Sequence, residues 1–314
     1  GKSSGLDRRK RNKMKIAVLM GGHSGEREVS LDSGNAIADA CTALGHDVKR
    51  VEIDGNLESI IPDIKSVDLV FNGLHGTGGE DGAIQGFLKS LNLPFTGSGV
   101  ESSAICMDKR VSKSLAENKG IKTPAWITLE KNEDPPKAIS MSYPVVVKPS
   151  REGSSIGLSI VQDSGGLKDA IALAKQHTGV VLIEEYIKGK EITVSVIGSE
   201  AYPIVEIIPS HEFYDYQCKY TKGMSEYRCP AEIPEKQTKE IQDIALRIHS
   251  MMGCRHYSRV DFRMDEKETA YFLEINTLPG MTETSLLPKS AKAKGISFNQ
   301  LIEKLISLAI QKVS

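Results

Sequence analysis

Apolar and polar residues alternate along this chain in blocks that read as strands and helices in turn. Lys15–Met20 (KIAVLM) is a nearly continuous apolar run, the pattern of a strand buried on both faces. A polar loop, GGHSGEREVS, follows. Ala36, Ile37, Ala40, Cys41 and Leu44 then recur at helical spacing, with Gly45 where a C-terminal cap belongs. Val48–Ile53 and Val67–Leu74 are the next strands. This β-α-β alternation from residue 14 to about 96 predicts a parallel sheet with crossover helices. GGHSGE does not match GxGxxG, which weakens a dinucleotide reading.

A second unit begins near Pro94–Gly99, with a helix to about Lys119 and strands at Ala125–Leu129, Pro144–Lys148, Leu158–Gln162 and Val180–Ile187. Leu167, Ala170, Ile171 and Ala174 mark a helix between the last two. From about Lys188 a third unit is strand-rich until Pro209, then polar and dotted with aromatics to about Pro234. A helix carrying Ile241, Ile244, Ala245 and Ile248 comes next. Two strands, Tyr257–Met264 and Ala270–Asn276, are joined by the charged turn DEKE. In the last helix Phe298, Leu301, Ile302, Leu305, Leu308 and Ala309 share one face, and Ser297 with Gln300 forms a capping box at its start. The fold class is α/β with α+β elements.

Charge sharpens the picture. The 314 residues hold 40 Lys+Arg against 41 Asp+Glu, but Lys2, Arg8, Arg9, Lys10, Arg11 and Lys13 crowd into residues 1–13 with the single acid Asp7. The remainder has 34 basic and 40 acidic residues, a net charge of −6 that does not suit a polyanion-binding body. RRKRNK has the composition of a localisation or nucleic-acid patch. Its position just before Met14 and the first strand favours a disordered leader over 1–13, and no nucleic-acid partner. No apolar run approaches the ~18–20 residues that span a membrane, and no secretory pattern is visible. Cys41, Cys106, Cys218, Cys229 and Cys254 are scattered without a CxxC, which predicts a reducing compartment and no zinc site.

The strongest chemical signal lies in the paired C-terminal strands. Glu274 and Asn276 are two apart and share a strand face, as do Arg259 and Asp261 on the preceding strand. Three hard oxygen ligands with an arginine beside them suit Mg²⁺ held together with substrate phosphates. A solvated face with cross-strand ion pairs would carry the same pattern. PVVVK followed by PSREGSSIG puts Lys148 at a strand end beside a Gly/Ser loop: a phosphate clamp, or a surface lysine before a tight turn. VLIEEYI with Glu191 offers apolar surface for a base and acids for ribose hydroxyls, or merely solvated acids. His75 and Glu26 each follow a strand at the edge where open α/β sheets place ligands. A structural histidine and a helix N-terminal acid are the plainer readings of these two. FYDYQCKY reads as a mobile lid or a surface loop.

In combination these segments are far more specific. GGHSGEREVSLDSG, LHGTGGEDG, PFTGSGVESSA, MDKRVSK, VVVKPSREGSSIG, FYDYQCKY, CPAEIP, SRVDF and EINTLPGMTETSLLP occur in that order. From about Met14 to Gln311 the chain resembles the D-alanine–D-alanine ligases of the ATP-grasp superfamily. The resemblance implies a three-domain ATP-grasp fold: a Rossmann-like substrate domain over 14–96, an ATP-binding domain over 97–187, and a catalytic domain over 188–314 with a lid at about 210–230. The first has an open parallel sheet, and the two α+β domains sandwich ATP. It further implies a cytoplasmic homodimer that uses ATP, two Mg²⁺ (or Mn²⁺) and two D-alanines to make D-alanyl-D-alanine for peptidoglycan.

Matched residue by residue, the resemblance gives Lys109 and Lys148 to the ATP phosphates and Lys219 to the transferred phosphoryl group. Glu184, Glu191 and the backbone near Ile187 would contact adenine and ribose. Asp261, Glu274 and Asn276 would hold the metals. Glu26 would anchor the first D-alanine's ammonium, and Ser285 would bind the second substrate's carboxylate. Arg259 and the Gly280 N–H would stabilise the developing oxyanion. His75 would serve proton transfer or charge stabilisation beside the second substrate. Ser154, Tyr220 and Glu26 match a hydrogen-bonded set linking lid to site. Tyr220 is absent from relatives that make D-alanyl-D-lactate, so KY favours an amine acceptor. A depsipeptide ligase, or another ATP-grasp carboxylate–amine ligase, would change Tyr220 or break PGMTETSL. An inactive nucleotide-binding regulator would lose Arg259 or a metal ligand. Each of these residues is in place.

Overall fold

The computed structural model describes residues 13–177, 179–209 and 225–311. Three sheets carry the architecture. The first is parallel, in the order β2–β1–β3, from β1 (Lys15–Gly21), β2 (Asp47–Ile53) and β3 (Leu69–Asn72). Strand alternation splits β1 between two cores, as the doubly buried apolar run predicts. Ile16, Val18 and Met20 face helices Arg27–Ala43 and Phe298–Ile310, while Ala17 and Leu19 pack with Ile64, Ile84 and Leu88 on the other side. Gly45 has φ +90° after the first helix, the left-handed cap conformation expected of it.

The second sheet is antiparallel, in the order β4–β7–β5–β6, from β4 (Trp126–Leu129), β5 (Val145–Pro149), β6 (Ser159–Val161) and β7 (Val181–Glu185). Val145, Val147, Val181 and Ile183 bury against helix Leu167–Lys175. The alternate positions Val146, Lys148 and Glu184 therefore face a cleft. The strand ends at Glu185, two residues short of the Ile187 expected from hydropathy, and Tyr186 and Ile187 form a connecting segment.

The third sheet runs β11–β10–β8–β12–β13, with β9 (Glu200–Ala201) paired to β8 (Gly189–Ile197). Its other strands are β10 (Val205–Pro209), β11 (Ser225–Arg228), β12 (Tyr257–Asp265) and β13 (Ala270–Asn276). Ile192, Val194, Val260 and Phe262 pack under helix Glu235–Met251, which leaves Glu191, Thr193, Arg259 and Asp261 on the opposite face. A shift in register between Asp261 and Phe262 inserts Leu273 as an extra residue in β13. Strict alternation would put Phe272 beside Glu274; the bulge turns it into the core instead. Residues 225–228, placed by sequence within a lid, form a strand on β10, and 210–224 lie outside the described residues.

Boundaries at 96/97 and 187/188 separate the sheets but not the cores. Cys106 and Ala116 belong to the core of the third sheet, and Leu301 and Leu305 to that of the first. The helix expected up to Lys119 is two helices, Val100–Met107 and Lys109–Asn118. They break at Asp108, which is extended and caps the second through Arg110 N–H at 3.1 Å. Ser297 and Gln300 form the predicted capping box. Among the described residues no helix is long and apolar enough to cross a membrane, and Cys41, Cys106, Cys229 and Cys254 are free thiols.

Candidate active site

The register of β12 on β13 sets Arg259 opposite Asn276 and Asp261 opposite Glu274. Four side chains thus form two successive rungs on one face, as their spacing predicts. Arg259 grips Asp261 through both nitrogen branches, Nε to Oδ1 at 2.9 Å and Nη2 to Oδ2 at 2.7 Å. Asn276 Nδ2 donates to Asp261 Oδ2 at 3.0 Å, and Thr193 Oγ1 on β8 donates to Oδ1 at 2.6 Å. Glu274 pairs with Lys109 Nζ at 2.9 Å, and that ammonium also donates to the Glu152 carbonyl at 2.7 Å. Burial alone would lower the pKa of Lys109, but the facing Glu274 carboxylate holds it above the ordinary lysine value. Two carboxylates and an amide facing one cleft are hard donors of the kind Mg²⁺ takes, with substrate oxygens completing the shell. No three His, Cys, Asp or Glu side chains among the described residues cluster as a self-sufficient metal cage.

A cleft runs between the second and third sheets, lined by Lys148, Glu184, Ile187, Glu191, Asp261 and Glu274 among others. At its floor Glu184 accepts from Lys113 Nζ at 2.9 Å through one oxygen and from Lys148 Nζ through the other. Burial opposes the charge on Glu184, yet the two lysines hold its carboxyl below the usual range. Arg263 braces the apolar wall. Its guanidinium donates to the Ile187 carbonyl at 3.0 Å, pairs with Glu191 at 3.4 Å and lies over the Tyr186 ring.

The cleft opens into a larger one, sharing Ser154, Glu191, Asp261 and Glu274 with the first and bordered by Glu26, His75, Arg259, Gly280 and Ser285. Glu26 stands at the N-cap of its helix but makes no capping hydrogen bond there; it accepts instead from Ser154 Oγ. The helix N-terminus still favours a carboxylate there, and the Ser154 hydroxyl ties that carboxylate to the Gly/Ser loop as well. Ser154 has φ +53° and Ser155 +60°, left-handed conformations that turn the Gly/Ser loop over the cleft. Gly153 and Gly76 flank the same carboxylate, and a Cβ at either would lie 2.8 or 2.9 Å from Glu26 Oε2.

His75 is buried with both ring nitrogens engaged, Nδ1 at 2.8 Å from the Leu278 carbonyl and Nε2 at 3.0 Å from Ser33 Oγ. A carbonyl only accepts, so Nδ1 carries the proton. Ser33 accepts from the Met281 N–H at 3.1 Å and donates its hydroxyl to Nε2. Burial lowers the His75 pKa against the pull of Glu26, which keeps the ring neutral. Through both nitrogens His75 ties the segment 278–281 to Ser33. Glu80 supports the same turn, accepting from Gly76 N–H at 2.7 Å and Leu278 N–H at 3.3 Å. Burial, with the Glu26 charge, pushes Glu80 up to about 8. Ser285 caps the sequence end of this turn, where its Oγ accepts from Thr282 N–H at 3.1 Å and lies 3.0 Å from a Cβ built on Gly280.

Of the residues expected from sequence, Lys219 and Tyr220 lie outside the described residues, and the others line these two joined clefts. Sequence reasoning missed Ser33, Glu80, Lys113 and Arg263. Arg263 was within reach, two residues beyond Asp261 on the same strand face. Glu80 and Lys113 sat inside LHGTGGEDG and MDKRVSK without a role.

The chain is similar to known proteins along nearly its whole length. The family model described as D-ala D-ala ligase C-terminus matches residues 115–307, and that described as D-ala D-ala ligase N-terminus matches 56–98. The D-alanine–D-alanine ligase of Aquifex aeolicus is 46% identical over 94% of this chain and 100% of its own length. That of Syntrophotalea carbinolica is 43% identical over 96% and 98%. The crystal structure of the D-alanine–D-alanine ligase from Bacillus anthracis complexed with ATP superposes with a TM-score of 0.85 at 35% identity, over 95% of this chain and 97% of that one. VanG D-Ala:D-Ser ligase from Enterococcus faecalis gives 0.80 at 32%, over 95% and 100%. Likeness of this degree along nearly the full length of both partners shows that the chain belongs to the D-alanine–D-alanine ligase family.

Proposed function

We propose that this protein joins two D-alanines at the expense of ATP, forming D-alanyl-D-alanine for peptidoglycan synthesis. The observation that carries the reading is the two-rung Arg259–Asp261–Glu274–Asn276 array standing between a lysine-lined cleft and a glycine-lined carboxylate. In this reading adenosine lies against Ile187 and Glu191, while Lys109 and Lys148 draw the phosphates toward Asp261 and Glu274. Glu26, fixed by Ser154, takes the ammonium of the first D-alanine. The carboxylate of that substrate attacks the γ-phosphorus and releases ADP. The amine of the second D-alanine then attacks the acyl phosphate, and the tetrahedral centre collapses with loss of inorganic phosphate and a proton. Arg259 and the Gly280 N–H face the oxygen on which charge develops. His75, Ser33 and Glu80 hold the turn that presents Gly280. Ser285 receives the second carboxylate. Asp261, Glu274 and Asn276 would hold Mg²⁺, which when bound neutralises phosphate charge. Lys219 is assigned to the transferred phosphoryl group, and Tyr220 to the set with Ser154 and Glu26, on the motif match alone. Two metal ions, a homodimer, a cytoplasmic location and the division into three domains at 96/97 and 187/188 are proposed on the family resemblance alone.

The similarity to a D-Ala:D-Ser ligase supports a second reading in which the acceptor is D-serine. Phosphate release from ATP and Mg²⁺, with D-alanine alone and with D-alanine plus D-serine, D-lactate or L-alanine, tests both, with products identified by mass. D-alanyl-D-alanine as the main product is expected. A dominant mixed product would replace the acceptor assignment, and no D-alanine-dependent release would overturn the activity.

A further inference from the structure

The floor of the nucleotide cleft holds one more cation than it can use for a ligand. Glu184 on β7 offers two oxygens, one to Lys148 on β5 and the other to Lys113, which projects from helix Lys109–Asn118. Glu184 stands opposite Val146 in the ladder, so Lys148 is its diagonal neighbour on the same face. The two lysines differ in access. Lys148 lines the cleft, whereas the Lys113 side chain has 0% exposure and no part in the cleft wall. A ligand therefore meets Lys148 and never Lys113.

Such a cluster carries two positive charges and one negative. If Lys148 turns from Glu184 to a phosphate, Glu184 keeps Lys113. With Lys113 absent, the same movement would strand a buried carboxylate without a hydrogen-bonded counter-charge, the costly outcome for an interior ion. Mutual repulsion of the two ammonium groups also favours the departure of Lys148. We propose that Lys113 is a positioning residue for nucleotide binding: as the permanent partner of Glu184, it frees Lys148 to engage phosphate. This rests on the reading of the cleft as the ATP site.

Binding of Mg·ADP by titration calorimetry tests it, with Lys113→Met, Glu184→Gln and the double variant compared in a cycle. Lys113→Met is expected to weaken ADP at least tenfold. In the Glu184→Gln background, where no carboxylate holds Lys148, the same substitution is expected to change affinity by less than about threefold. Comparison of Glu184→Gln with the double variant stands even if Lys113→Met alone does not fold. An equal loss in both backgrounds would overturn the inference by making Lys113 a general packing residue, and so would an unchanged Lys113→Met. Wild-type protein that binds no ADP would overturn the reading of the cleft itself, a result distinct from either.

Discussion

Replacing Ser33 with alanine probes the turn that presents Gly280 at a residue to which no ligand contact is assigned. The hydroxyl is fully buried and bridges the Met281 N–H, 3.1 Å away, to His75 Nε2 at 3.0 Å. Its removal leaves two buried polar groups without that partner. Each orphaned group costs about 1–3 kcal/mol, so stability falls by roughly 2–6 kcal/mol, readable as a lower urea midpoint. The loosened turn also lets the Gly280 N–H drift from the oxyanion. Losing an oxyanion donor outright costs about 10²–10³ in kcat, so a loosened one predicts a drop of roughly 10–100-fold. Ser33 has no part in the wall of the cleft that holds Lys148 and Glu184, and the KM for ATP should stay within about twofold. D-alanine-dependent phosphate release at saturating and limiting ATP separates these quantities. A destabilised variant with normal kcat would refute the presentation argument, as would a loss confined to the KM for ATP.

Gly153→Ala places a methyl 2.8 Å from Glu26 Oε2, at the movable end of that side chain. The KM for the first D-alanine is expected to rise while the unfolding midpoint holds, and a fallen midpoint with normal KM would contradict it. His249 is buried against Ser258 at 2.7 Å and burial pushes its pKa down to about 4. Its contribution is therefore present above pH ~6.5 and lost as the pH falls toward 4, on the order of 3 kcal/mol. His249→Gln should flatten the acid limb of a stability–pH curve, and an unaltered limb would count against the assignment. Chelation by EDTA should abolish phosphate release and added Mg²⁺ restore it. In Asp261→Ala excess Mg²⁺ should not restore activity, so full rescue there would remove Asp261 from the metal set.

Much of this protein is determined by local pattern. The doubly buried run at Ile16–Leu19, the capping box at Ser297 and the glycine stop at Gly45 are decided by residues within one or two turns of each other. The Arg259–Asp261–Glu274–Asn276 face was legible for the same reason, since a period of two and a short turn join both strands before any wider fold is known. Other features needed the folded chain. The break at Asp108 is held partly by Arg151, and the bulge at Leu273 redirects Phe272 against the strand period. Lys113 meets Glu184 across 71 residues, and His75 meets Leu278 across 203. Periodicity reports which face of an element is apolar. Only the stacking of elements decides which buried polar groups meet, because each must find a partner among whatever the sheets bring within 3 Å of it.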